Sequence, residues 1–193
     1  MESNKETIEL MKLDEKTKSD LLKKIRELIN KNEPWWLKLV IRDLKGEPED
    51  AFEIMDPIHK SEKLDLEVEA FGKNERAGTV LLAGGKPGFR HAHSGSSFQI
   101  LEGAIYKENV TLKDLRAEDE PTINALIILS GKKKYILEAI AKSKYVSASA
   151  AKRIGIADTT SEFINKYAIK SNRGRKKSGK QATDTSNGSV DEK

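Results

Sequence analysis

Apolar residues recur at three- and four-residue steps through Leu21, Leu22, Ile25, Leu28 and Ile29, and this spacing predicts an amphipathic helix with Asp14 as its cap. After Asn32-Glu33-Pro34, the run Trp35-Trp36-Leu-Lys-Leu-Val-Ile-Arg-Asp-Leu44 reads as a second helix that faces the first through Trp35, Trp36, Leu39, Val40 and Leu44. The N-terminus is therefore expected to be a helical hairpin. Gly46, Pro48 and Pro57 make residues 46–63 a connector, with one helical turn around Glu49 to Met55. At Leu64 the period changes to two: Leu64-Asp-Leu-Glu-Val-Glu-Ala-Phe71 alternates apolar and acidic positions as a half-exposed strand does. Turn chemistry from Gly72 to Arg76, a second strand over 77–83 and a third over 97–106 complete a small antiparallel sheet. Helical patterning returns at Thr111 and again from Glu120 to Gly131, a C-cap glycine.

The segment 134–170 carries the strongest functional signal. Three short helices fit it: one from about Lys133 to Ser143, one from Ser147 through Ala150-Ala151 to Ile154, and one beyond Asp158 and Thr159 containing Phe163, Ile164 and Tyr167. Small alanines permit close helix approach, and Gly155 supplies the positive φ of a sharp turn, so the second and third helices form a helix-turn-helix. Val146-Ser147, Ala150-Ala151-Lys-Arg-Ile154-Gly155-Ile156, Thr159-Thr160 and Lys166-Tyr167-Ala168-Ile169 resemble the C-terminal DNA-binding domain of the Fis family. The resemblance covers about 35 of 193 residues, and it has Asp158 where that family often carries a basic residue.

Charge sharpens this reading. The chain as a whole has a formal charge of +4, but residues 132–180 hold eleven Lys and three Arg against Glu138, Asp158 and Glu162, a net +11, whereas residues 1–131 sum to −5. Such asymmetry is what a polyanion-binding appendage looks like. The expected DNA contacts are Lys144, Lys152, Arg153, Thr159, Thr160, Lys166 and Lys170, with Arg173, Arg175, Lys176 and Lys177 as a basic arm entering the minor groove. Residues 171–193 lack large apolar side chains apart from Val190 and are expected to be a disordered tail.

Zero cysteines exclude disulfides, thiolate metal sites and cysteine nucleophiles. No apolar run approaches the roughly 20 residues of a membrane-spanning helix, and the first residues have no apolar signal core, so a cytoplasmic location is expected. His91 and His93, one residue apart on a strand, point the same way and are candidate metal ligands. Gly85 to Gly103 resembles the first metal motif of cupins, without its carboxylate, and His91-Ala-His93-Ser-Gly95 with Phe98 also resembles a ten-residue piece of phage and plasmid primase-helicase proteins.

Together these features predict an α+β protein. Residues 1–110 form a helical-hairpin and small-sheet body, 111–170 a helical region with the helix-turn-helix, and 171–193 the tail. The expected function is non-catalytic binding of double-stranded DNA by a regulator or accessory replication factor of a phage, plasmid or integrated element. The body would supply oligomerisation or a partner surface, and neither a cofactor nor a membrane is called for. The alternative is a cupin-like metal protein or a primase-helicase-derived replication protein built on His91 and His93.

Overall fold

A computed structural model describes residues 4–103, 105 and 107–161 of the chain. The elements run β1 (Asn4–Lys12), α1 (Glu15–Ile29), β2 (Trp35–Lys45), α2 (Pro48–His59), β3 (Leu64–Phe71), β4 (Lys73–Asn74) and α3 (Arg76–Gly84). They continue with β5 (Arg90–His93), β6 (Ser97–Gln99), a 3-10 turn (Leu112–Asp114), α4 (Glu120–Ser130), α5 (Lys133–Ile140), β7 (Tyr145–Ser147), α6 (Ala148–Ile154) and β8 (Thr159–Ser161). Five strands form a parallel sheet in the order β1-β2-β3-β5-β8, and β4-β6-β7 form a small second sheet.

Helix α1 forms as its periodicity predicts, with Asp14 accepting a hydrogen bond from the Thr17 amide at 3.0 Å. That cap holds the Asp14 carboxyl down at about 2. The helical hairpin does not form, because residues 35–45 are a strand. Leu37, Leu39 and Ile41 alternate into the core, each fully buried, while Trp36, Lys38, Val40 and Arg42 face the other way. The dense β-branched and aromatic run obeys period two as well as it obeys helical spacing, and long-range pairing to β1 and β3 decides between them.

The expected antiparallel sheet is replaced for a related reason. Residues 76–84 are a helix buried along its whole length, so β3 and β5 are joined by a crossover rather than a hairpin and run parallel. Residues 46–63 likewise hold a full helix, α2, that carries β2 over to β3. Strand order is strictly sequential, and connections between parallel strands are right-handed in nearly all proteins. Helices α1, α2, α3 and α6 are consequently all delivered to one face of the sheet. The core lies there, with Ile25, Leu28, Ile54, Leu66, Val68, Leu81 and Phe98 at 2% exposure or less.

No helix-turn-helix is present at 145–161. Tyr145–Ser147 pairs antiparallel with β6, α6 comes next, and Gly155 caps it at φ +84 as expected, but the chain then enters strand β8 instead of a third helix. The physical reason is Asp158. Its carboxylate accepts from Arg90 Nε at 2.9 Å and Arg90 Nη2 at 2.5 Å, and from the Gly88 and Arg90 amides at 2.7 and 3.1 Å. It therefore ties the chain after α6 to the start of β5 rather than capping a helix. Burial raises the Asp158 pKa, but Arg90 and the two amides outweigh it and hold the carboxyl below its ordinary value of 3.8. The expected third helix, with Phe163, Ile164 and Tyr167, lies outside the described residues, as does the tail.

Asp158→Ala leaves a largely buried guanidinium and two amides without their acceptor, and is expected to cost about 3 kcal/mol. A lowered urea midpoint at unchanged slope would register it, with Asp158→Asn losing less.

Candidate functional site

In open α/β sheets ligands gather beyond the carboxyl ends of the strands. One such end is the turn that joins β3 to α3. Gly72 sits at φ +67, and a Cβ on it would lie 2.1 Å from Asp43 Oδ1. Only glycine allows Asp43 to come this close and accept the Lys73 amide at 2.6 Å. Asn74, fully buried, accepts the Leu44 amide at 3.1 Å and donates to the Phe71 carbonyl at 2.9 Å, which locks the turn onto β2.

Arg76 occupies the start of the helix. Its guanidinium lies 2.6 Å from Glu47 Oε2, 3.3 Å from Glu102 Oε2 and 3.7 Å from Asp119 Oδ1. Asp119 is 1% exposed and also accepts the Glu102 amide at 2.8 Å. One cation thus joins the β2–α2 turn, the loop after β6 and the start of α4. The nearby hydroxyl, Thr79, is fully buried and donates to the Gln99 carbonyl at 2.7 Å. This corner is chemically an ion-pair hub, and among the described residues no hydroxyl–imidazole pair is assembled in it.

The three histidines lie elsewhere. His59 Nε2 contacts the Gly84 carbonyl at 2.8 Å, at the opposite end of α3. His91 and His93 share one side of β5 as expected, but they do not converge on a common point. His91 Nδ1 pairs with Thr159 Oγ1 at 2.6 Å, and His93 Nε2 with Glu69 Oε1 at 2.5 Å while its ring stacks on Phe71. Among the described residues no group of three His, Asp or Glu side chains is placed to hold a metal ion. The cupin-like alternative is corrected accordingly, since a parallel sheet with crossover helices is also not a cupin barrel.

Of the three, His93 belongs to a charge lattice on the helix-free face. Lys5 bonds Glu67 at 2.7 Å, Lys38 lies 3.1 Å from Glu67 and 2.5 Å from Glu69, and Glu69 holds His93. Arg42–Glu9 and Lys86–Asp65 flank it, both at 2.7 Å, and Trp36 packs on Phe89 with ring centroids 4.4 Å apart. Burial raises the pKa values of Glu67 and Glu69, but the lysines, with His93 on Glu69, outweigh it and hold both below 4.5. The lattice stabilises the fold above that pH, and its contribution is lost as acid protonates the pair.

The residues expected to contact DNA are dispersed. Lys152 and Arg153 are exposed in the last turn of α6, and Lys144 reaches the Glu102 carbonyl at 3.4 Å. Thr159 and Thr160 lie on β8, where Thr159 partners His91. Lys166, Lys170, Arg173, Arg175, Lys176 and Lys177 lie outside the described residues. Sequence reasoning misses the Arg76 hub, whose members are far apart in the chain. It does expose one signal of the lattice: the alternation that puts Asp65, Glu67 and Glu69 on one side of a strand.

Arg76→Ala strands the buried Asp119 carboxylate and is expected to cost about 3–5 kcal/mol. Adding Asp119→Asn should recover more than half of the loss, a coupling that a chemical-denaturation double-mutant cycle reads directly.

No family model matches this chain, and no curated protein matches it. Its fold is similar to that of the crystal structure of the ClpP protease catalytic domain from Plasmodium falciparum, with a TM-score of 0.63 and 23% sequence identity over 82% of this chain and 86% of that one. This likeness and the parallel sheet overturn the Fis-type, DNA-binding and primase-helicase readings together. The segment that would have been a helix-turn-helix is a strand–helix–strand piece of an α/β protein whose fold is that of a protease domain, and double-stranded DNA is not the partner this architecture indicates.

Proposed function

We propose that this chain is a non-hydrolytic protein of the ClpP-like fold that works as a self-associating structural subunit. The observation that carries the reading is the sheet itself: among the described residues its crossover helices lie on only one face, which leaves the other for a partner, because parallel sheets are normally covered on both sides. Five strands at about 4.8 Å spacing, of which β1, β2 and β3 run eight residues or more, give that face a width of roughly 20 Å.

Its chemistry favours another copy of the same chain. Lys5, Lys38, Arg42 and Lys86 stand against Glu9, Asp65, Glu67 and Glu69, so the face is charge-balanced, and every one of these groups is already paired within it. A surface whose charges are satisfied in place needs no oppositely charged partner and loses less on desolvation than one with unpaired ions. Trp36 with Phe89 near one end and Phe71 with His93 at the other supply the aromatic area that anchors protein interfaces. The non-hydrolytic half of the reading rests on the turn after β3, where Arg76 and its three carboxylate partners fill the corner and, among the described residues, no hydroxyl–imidazole pair is assembled.

Two measurements on the full chain test the reading. Sedimentation velocity should show concentration-dependent assembly at micromolar protein, reduced by Val40→Arg or by Thr7→Arg with the far-ultraviolet dichroism unchanged. A monomer at every concentration would overturn the assembly. A fluorophosphonate probe should leave the protein unlabelled, and stoichiometric labelling of any hydroxyl would overturn the non-hydrolytic assignment.

A further inference from the structure

A second surface lies apart from the sheet, between α5 and residues 107–114. A hollow of about 940 Å³ and a neighbouring one of about 460 Å³ share Thr111, Lys133 and Leu137, so they form one trough on both sides of the Leu137 side chain. Its floor is apolar: Val110 is buried, and Leu112, Leu137 and Ala141 are half-buried. Lys133, Leu137 and Ala141 recur at four-residue steps along α5 and its cap, on the side adjoining the one through which Ile136 and Ile140 enter the core.

The rim is cationic and partly unsatisfied. Lys107 is held by Asp114, and Lys134 lies 3.9 Å from Glu138. Lys113, Lys133 and Lys142 make no ion pair among the described residues, whereas Glu108 is the one rim carboxylate without a cation there. Lys133 begins α5 and Lys142 lies just past its end, so two exposed ammonium groups bracket the apolar floor at backbone positions about 13 Å apart.

We infer that this trough binds a short, acidic amphipathic helix of a protein partner, with leucine-type side chains on Leu137, Ala141 and Val110 and carboxylates at both ends on Lys133 and Lys142. Charge complementarity selects the occupant: cations at both ends of an apolar floor match a segment with acids on both flanks, and an amphipathic helix seated in an apolar groove is a recurring recognition mode. The extension of the floor past Leu137 toward Leu112 suits a segment of about two turns. The binding elements carry none of the residues of the open sheet face, so this site and the self-association surface can be separated by mutation.

The test uses the full chain and a fluorescein-labelled peptide, Asp-Asp-Ala-Leu-Glu-Ala-Leu-Leu-Glu-Ala-Leu-Asp-Asp-Ala, with fluorescence anisotropy as the readout. Micromolar, salt-sensitive binding is expected, weakened about ten-fold or more by Lys133→Glu with Lys142→Glu. Both lysines are exposed, and unchanged dichroism and unchanged sedimentation will show that fold and assembly persist. The same peptide with serine for leucine, or with lysine for its acids, should not bind. Equal affinity for the double variant, equal binding of the serine peptide, or binding of dodecanoate without binding of the peptide would each overturn the proposal.

Discussion

The handedness of the crossover connection is the constraint on which the rest of this structure depends. Connections between parallel strands are right-handed in nearly all proteins, and here the strands are laid down in unbroken order, so among the described residues the sheet never reverses direction and the crossover helices gather on one face. In a doubly wound protein the other face would read as a continuous apolar run. Here it reads as alternation: the open-face positions are Trp36, Lys38, Val40 and Arg42 on β2, and Asp65, Glu67, Glu69 and Phe71 on β3. The covered face carries the hydrophobic core, and the open face meets water or a partner with charges arranged as pairs.

Two further ion pairs hold the ends of this layer. Arg90 and Asp158 fasten the last strand to its neighbour, and Arg76 gathers three carboxylates at the corner where the carboxyl ends of the strands meet the next helices. Both arginines are almost fully buried. A buried guanidinium with its carboxylates is costly to disturb although its net contribution to stability is modest, so such groups specify arrangement more than they add stability. At the corner that arrangement commits the Arg76 cation to three carboxylates from separate parts of the chain.

The fold is most legible in the sequence where local signals act alone. The cap and stripe of α1, the glycine cap of α4 and the alternation of β3 all arise from chemistry within a few residues, and the structure has them at those places. Legibility is poorest where two periods fit the same text. Residues 35–45 satisfy helical spacing and strand alternation alike, and only pairing with β1 and β3 selects the strand. Residues 76–84 look like a strand by composition, yet they form a helix because a crossover must return the chain to the start of β5. At 145–161 the alanines, Ser147 and Gly155 do encode a capped helix with a left-handed stop. Strand β8 beyond that stop is hidden from local reading, since the Asp158–Arg90 link that sets it in place joins residues 68 apart and has no local signature. The Arg76 corner is illegible for the same reason, its carboxylates coming from three separate parts of the chain.

Because the chain lacks cysteine, one introduced thiol reports directly on the face at issue. Thr7→Cys places it on an exposed, open-face position of β1, and its rate of reaction with a maleimide can be tracked as protein concentration rises. If that face is covered by another copy of the chain, the rate falls steeply over the concentration range in which the protein assembles. The same rate at every concentration, in a sample that is demonstrably oligomeric, would mean that the face stays open and that the central claim is wrong.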